Sequence, residues 1–278
     1  MAMMWLLILL SVCAGAAVTA GIVMVAAAFK KRIIAEEIVL DRLPAAFDGF
    51  RILFITDIHR RRLPAAMLAP LRRKVDAVFL GGDLTEKGSP AERLLDNMKL
   101  TASLAPVYAV HGNHDYRANI SLVDNIIRGS GARLLLDENV TIERSGSRVI
   151  LTGMDFPRKG GKKAYAALPP VAAADTELLR IILVHDPLWL SQQQEVPADL
   201  ILAGHTHGGQ VVLPFIGSRH GDEFYRHYNA GMYEIPGYGT AAHPLKLLIS
   251  RGFGTAHLPL RWGSPAEMHV LTLRCRQD

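Results

Sequence analysis

Pro106-Val107-Tyr108-Ala109-Val110-His111-Gly112-Asn113-His114-Asp115 is the stretch on which the reading of the fold turns. An apolar run of strand length ends in a glycine, and Asn, His and Asp follow it, which is the composition of a buried strand entering a sharp loop. The same arrangement recurs on both sides. Residues 51–56 lead into Asp57-Ile58-His59, residues 77–80 into Gly82-Asp83, residues 180–184 into His185, and residues 198–202 into Gly204-His205-Thr206-His207. Between these runs, residues 65–74, 91–103 and 122–128 carry apolar side chains at helical spacing. The pattern is βα alternation. Each polar segment falls just past the C-terminal end of a strand, the edge at which open α/β sheets collect ligands.

Further along, residues 139–143 and 148–153 flank Arg144-Ser145-Gly146-Ser147 and read as a hairpin. Residues 246–250 and 268–274 read as late strands beyond a Gly- and Pro-rich stretch.

Only Asp, Asn and His occupy the chemical positions of the five loops, with no Cys among them, which suits borderline divalent ions such as zinc, manganese or iron. The one-apart pairs Asp57/His59 and His205/His207 share a face in extended backbone, so each can supply two ligands to one cavity. Singly, each motif has a plainer reading: Gly-Asp after a strand is usually a turn, and a lone histidine is usually a satisfied core residue. Their conjunction in this order is what carries the metal reading. The sequence Asp-x-His, Gly-Asp, Gly-Asn-His-Asp, His, Gly-His-x-His resembles the calcineurin-like metallophosphoesterase superfamily from about Ile38 to the C-terminus. Within it, Gly-His-Thr-His-Gly-Gly-Gln at 204–210 and Ser250-Arg251-Gly252-Phe253-Gly254 are most similar to membrane-anchored bacterial phosphoesterases of the YkuE and YaeI type.

The resemblance implies a sandwich of two mixed β-sheets flanked by helices, with two divalent ions at the loop edge. By motif, Asp83 bridges the ions, Asp57, His59 and His207 complete one, and Asn113, His185 and His205 complete the other. It implies hydrolysis of a phosphoester or pyrophosphate bond by metal-bound hydroxide. His114 would reach the phosphate, either stabilising charge or protonating the leaving oxygen, and Asp115 would orient it. Arg60, directly after a ligand segment, and Arg251, at a strand end, are candidate phosphate contacts; for Arg251 a structural ion pair is the equal alternative. His111, His220, His227, His243, His257 and His269 match no motif position and default to structural roles. Two rivals stand beside this reading. One is a nuclease or cyclic-nucleotide phosphodiesterase of the same superfamily, and the other is a metal-binding scaffold that has lost catalysis. The scaffold reading expects a missing ligand, and none of the motif positions is empty.

With 278 residues, 50% of them hydrophobic, the chain can hold one large domain and one further element. No charged side chain occurs between Met1 and Phe29, a span long enough for a bilayer crossing. A cleaved signal peptide competes, but the n-region has no Lys or Arg and the apolar stretch outruns a signal h-region. The expected division is therefore a transmembrane anchor over 1–29, a basic juxtamembrane linker over 30–37, and a catalytic domain over 38–278. Lys30-Lys31-Arg32 then puts the domain in the cytoplasm, on a single-pass cell-membrane protein. These three cations account for most of the net charge of +5, so no specific nucleic acid is expected as a partner. The clusters Arg60-Arg61-Arg62 and Arg158-Lys159-Gly160-Gly161-Lys162-Lys163 read as solvated loops. A phosphorylated substrate follows, and the tether makes a lipid-linked one attractive. Cys13 in the apolar segment and Cys275 near the tail cannot pair.

Overall fold

The computed structural model describes residues 1–157, 164–212, 217, 221–240 and 243–276; the basic run 158–163 and His220 lie outside them. In chain order the elements are helix α1 (Ala2–Ala28), strands β1 (Ile33–Leu40) and β2 (Arg51–Ile55), α2 (Ala65–Leu68), β3 (Ala77–Leu80), α3 (Ala91–Ala102) and β4 (Val107–Ala109). There follow α4 (Asn113–Arg117), α5 (Ile120–Gly129), β5 (Arg133–Leu134), β6 (Glu138–Arg144), β7 (Ser147–Met154), β8 (Arg180–Val184) and β9 (Leu200–Ala203). The chain closes with α6 (Glu223–His227), β10 (Gly231–Thr240), β11 (His243–Ile249) and β12 (Met268–Cys275).

The strands form two six-stranded sheets, ordered β1-β12-β2-β3-β4-β5 and β10-β11-β9-β8-β7-β6. Both are mixed, since β2, β3, β4 and β5 run parallel while β12 opposes β2, and β7, β8, β9 and β11 run parallel while β6 and β10 oppose their neighbours. Alternation along each strand splits its side chains between two layers. Phe54 and Phe79 face Leu183 and Leu202 across the space between the sheets. Leu53, Ile55, Val78 and Leu80 turn outward onto Leu94 and Met98 of α3 and Val123 and Ile127 of α5. Ile182, Ile201 and Leu247 turn outward under Trp189 and Leu190. The expected two-sheet sandwich is what forms, and the sequence runs without polar alternation are the strands buried on both faces.

Two boundaries differ from the sequence reading. Residues 33–37, expected in a linker, are the first five of β1, which pairs in parallel with β12 from Ile33↔Met268 to Leu40↔Cys275. Glu36 and Glu37 gave that stretch its linker look, yet they are partners of sheet neighbours, Glu36 with His269 and Glu37 with Arg274. The link between α1 and the domain is thus confined to 29–32. The helix expected over 65–74 stops at Leu68 and tightens into a 3₁₀ turn over Ala69–Leu71, because Pro70 cannot donate to the preceding turn. The hairpin forms as expected, its turn made by Ser145 and Gly146 at φ 49° and 80°.

α1 is long and apolar enough to cross a membrane. Its first two-thirds are exposed, whereas Ala20, Gly21, Met24, Ala27 and Ala28 form a helical stripe partly or fully covered by the domain.

Candidate metal centre

Five strands end at one edge, and the loops that leave them are laced together through backbone groups. Asp57 and His59 donate their N–H groups to the carbonyls of Gly82 and Asp83, each at 3.0 Å. Asp83 Oδ1 accepts the N–H of His114 at 2.7 Å, and Asp57 Oδ2 accepts the N–H of His205 at 3.2 Å. This crossing leaves no room for side chains at the junctions. A Cβ on Gly112 would lie 2.2 Å from Asp83 Oδ1, and one on Gly204 would lie 2.5 Å from Asp57 Oδ2. The glycines before the ligand residues are therefore steric requirements. Asp57, His59, Asp83, His205 and His207 all sit in the left-handed region, with φ between 50° and 71°. Each such residue costs on the order of 1–3 kcal/mol and persists only where the surroundings over-determine it, a condition met at functional sites.

The side chains so placed form two imidazole pairs around two carboxylates. His59 Nε2 and His207 Nε2 are 3.2 Å apart, and so are His185 Nε2 and His205 Nδ1. Asp57 Oδ1 lies 4.0 Å from His59 and 3.5 Å from His207 of the first pair. Asp83 Oδ2 touches both, at 3.7 Å from His59 and 3.4 Å from His185. Asp57-His59-His207 and Asp57-Asp83-His185 each bring three ligand atoms within coordinating reach. Asn113, at the first position of α4, has its buried Oδ1 without a hydrogen-bond partner, and so has Asp57 Oδ1. Orphaned acceptors beside converging imidazole nitrogens fit divalent cations.

Electrostatics point the same way. Burial alone would lower the pKa of His185, but Asp83 and Asp57 outweigh it and push the value up to about 10. Burial opposes ionisation of Asp83 as well, yet His185, His59 and His114 hold it well below the usual carboxylate range. His207 is driven well below the ordinary histidine value by burial and by the neighbouring His59 and Arg261, which keeps its ring neutral. The carboxylates thus draw positive charge into the cavity, and metal binding there would release protons from the imidazoles.

The remaining expected residues fall in different places. His114 lies at the mouth, its ring 4.7 Å from that of His59, in a pocket lined also by Arg60, Glu86, Lys87, Arg117 and His257. Asp115 does not orient it. Its two carboxylate oxygens accept the N–H groups of Thr85 and Gly112 at 3.0 and 2.8 Å, so it ties the loops together. The carboxylate that does approach His114 is Glu86, at 3.9 Å from Nδ1, and Glu86 also stands 3.1 Å from His59 Nδ1 and pairs with Arg60. A carboxylate three residues past Asp83 in a ligand loop was the available signal for it. Arg251 takes the structural alternative, pairing with buried Glu267 at 3.1 Å. Buried Arg261 is the other residue missed: it donates to the carbonyl of His207 at 3.3 Å and sets Nη2 3.1 Å from His207 Nδ1, while Ser264 donates to the same carbonyl at 2.6 Å. Nothing local in Arg261-Trp262-Gly263-Ser264 announces that role. His111, structural as expected, is buried between Asp124 at 2.9 Å and Asp155 at 3.4 Å.

Comparison with known proteins bears on this geometry. The family model described as calcineurin-like phosphoesterase matches residues 50–209. The chain is 32% identical over 225 residues to the uncharacterized protein YpbG of Bacillus subtilis, covering 80% of each chain. It is 26% identical to the uncharacterized metallophosphoesterase YkuE of the same organism, over 84% of this chain and 82% of the relative. To the phosphodiesterase YaeI of Escherichia coli it is 29% identical, over 82% of this chain and 80% of the relative.

Proposed function

This chain belongs to the calcineurin-like phosphoesterase family, and from that premise we propose that it hydrolyses a phosphoester or pyrophosphate bond of a membrane-proximal, lipid-linked substrate, with two dications at the loop edge. That it is a metal-dependent phosphohydrolase follows from the family and from relatives named metallophosphoesterase and phosphodiesterase. The observation that carries the two-ion reading is Asp83, whose Oδ2 stands between an imidazole of each pair. Asp57, His59 and His207 would hold one ion with it, and Asn113, His185 and His205 the other. Zinc, manganese and iron suit these donors. Bound dications would act as Lewis acids on the phosphate and make a nucleophile available near neutral pH.

The chain's own residues supply the rest. Arg60, Lys87 and Arg117 line the mouth and offer positive charge to the substrate phosphate. His114, at the same mouth, serves either to stabilise charge on the transferred group or to protonate the departing oxygen. Glu86 supports both His114 and His59 from behind. Lys30, Lys31 and Arg32 are exposed at the end of α1, and by the positive-inside rule they favour a single-pass protein with its domain in the cytoplasm.

Metal depletion tests the reading. Chelation should abolish turnover of an aryl phosphodiester or monoester, and adding back zinc, manganese or ferrous ion should restore it. Full turnover by the metal-free protein would contradict it.

A further inference from the structure

The edge of the sheets that carries the ligand loops is also the edge by which the chain leaves α1. β1 begins at Ile33 opposite Met268, and His269, the next residue of β12, lies opposite Phe54 near the C-terminal end of β2. Only residues 29–32 lie between the helix and β1. Arg61, which directly follows Arg60 of the catalytic mouth, donates to the carbonyls of Ala28, Phe29 and Lys30 at 3.2–3.3 Å. Arg261 donates its backbone N–H to Met24 of α1 at 3.0 Å. The domain therefore grips the last two turns of α1 along the stripe from Ala20 to Ala28.

The length of the helix says where that grip lies. The part of α1 before Ala20 is about 27 Å long at 1.5 Å per residue, close to the roughly 30 Å of a bilayer's hydrocarbon core. The gripped turns then fall in the headgroup layer, as does the segment that holds them. That segment, residues 256–262, has the composition of an interfacial contact: Leu258 is 62% exposed, His257 and Pro259 are exposed, and Leu260 and Trp262 are half-buried. It is pinned to the metal loops by Gln210, the last residue of the Gly-His-Thr-His-Gly-Gly-Gln run. The Gln210 side chain donates to the carbonyls of Ala256 and Leu258 at 3.1 and 3.2 Å and accepts the N–H of Ala256 at 2.9 Å. His257 faces the other way and lines the mouth, its ring 6.2 Å from that of His114.

We infer that residues 256–262 dock on the lipid headgroup layer, so that the catalytic mouth opens at the bilayer surface and not toward bulk solvent. α1 and the segment share one membrane surface, and the exposed Lys30, Lys31, Arg32 and Phe29 at the end of α1 add the cations and the aromatic ring expected at that depth. A phosphate ester resident in the membrane would meet His114 without leaving the lipid. That consequence rests on the hydrolase reading, whereas the docking itself does not.

The turn at Ser145 supplies the contrast. It precedes β7, which runs parallel to β8, so it lies at the opposite edge from the loop of His185, about 25 Å farther from the mouth at 3.3 Å per strand residue. In the full chain with Cys13→Ala and Cys275→Ala, an environment-sensitive fluorophore would be placed on Leu258→Cys, on Pro259→Cys as a second reporter, or on Ser145→Cys. The protein is reconstituted in phosphatidylcholine nanodiscs containing headgroup-nitroxide lipid. Quenching at 258 and 259 at least threefold stronger than at 145 is expected. Equal quenching at all three positions would overturn the docking. Because quenching requires no turnover, a failure of the hydrolase reading would leave this result standing.

Discussion

The two imidazole pairs have the same spacing, 3.2 Å, and opposite surroundings. His59 and His207 are both buried and are braced from outside the pair by Glu86, Arg261 and Ser264. Arg261 also grips α1 through its backbone, so α1 and this half of the site share a residue. In the other pair, His185 is buried and fixed, with Nδ1 2.8 Å from the carbonyl of Gly81. His205 keeps 21% of its side chain exposed and stands 3.5 Å from Asp186, among the rings of Phe156 and Tyr225. One half is braced on several sides, and the other keeps a partly exposed imidazole. Such a difference matters because ligands whose supporting contacts are fixed bind metal more tightly.

Breaking the braced half should cost most. Glu86→Gln keeps the shape of the side chain but removes the charge beside His59 and His114, and should weaken binding of one ion by about 10- to 100-fold. Titration against a competing chelator reads this directly. A change of less than about twofold would show that the brace is ornamental and the two halves equivalent.

The open half should respond less. Tyr225 donates to Asp186 Oδ1 at 2.7 Å, but Asp186 also accepts from Tyr165 and from the N–H of Leu188 at 3.0 Å, so other donors remain when one is lost. Tyr225→Phe should leave metal affinity nearly unchanged and shift KM for a phosphodiester by less than about tenfold, since a single neutral hydrogen bond is worth about 0.5–1.5 kcal/mol. A larger loss of metal than in Glu86→Gln would reverse the comparison.

Much of this was legible in the chain because the ligand loops follow strands buried on both faces, whose short unbroken apolar runs are bounded by turn residues. Asp57, Asp83, Asn113, His185 and His205 each come within a few residues of a strand end, so strand position alone brings them to one edge. What escaped was tertiary. Arg261 reaches His207 from 54 positions away, and no local pattern encodes that distance. β1 was hidden by Lys30 to Arg32 on one side and by Glu36 and Glu37 within it, charges that look solvated until His269 and Arg274 appear beside them. Asp115 looked like a partner for its neighbour in sequence, but α4 turns its carboxylate onto the backbone of Gly112 and Thr85, and Glu86 comes to stand beside His114 instead.

The central claim is that Asp83 ties both halves together across two ions. Counting metal by elemental analysis in the wild-type chain and in Asp83→Asn tests it most directly, because the variant keeps the size of the side chain and removes the charge between the pairs. Two equivalents in the wild type, falling to one or fewer in the variant together with activity, is the predicted result. Two equivalents and near-normal turnover in Asp83→Asn would contradict it.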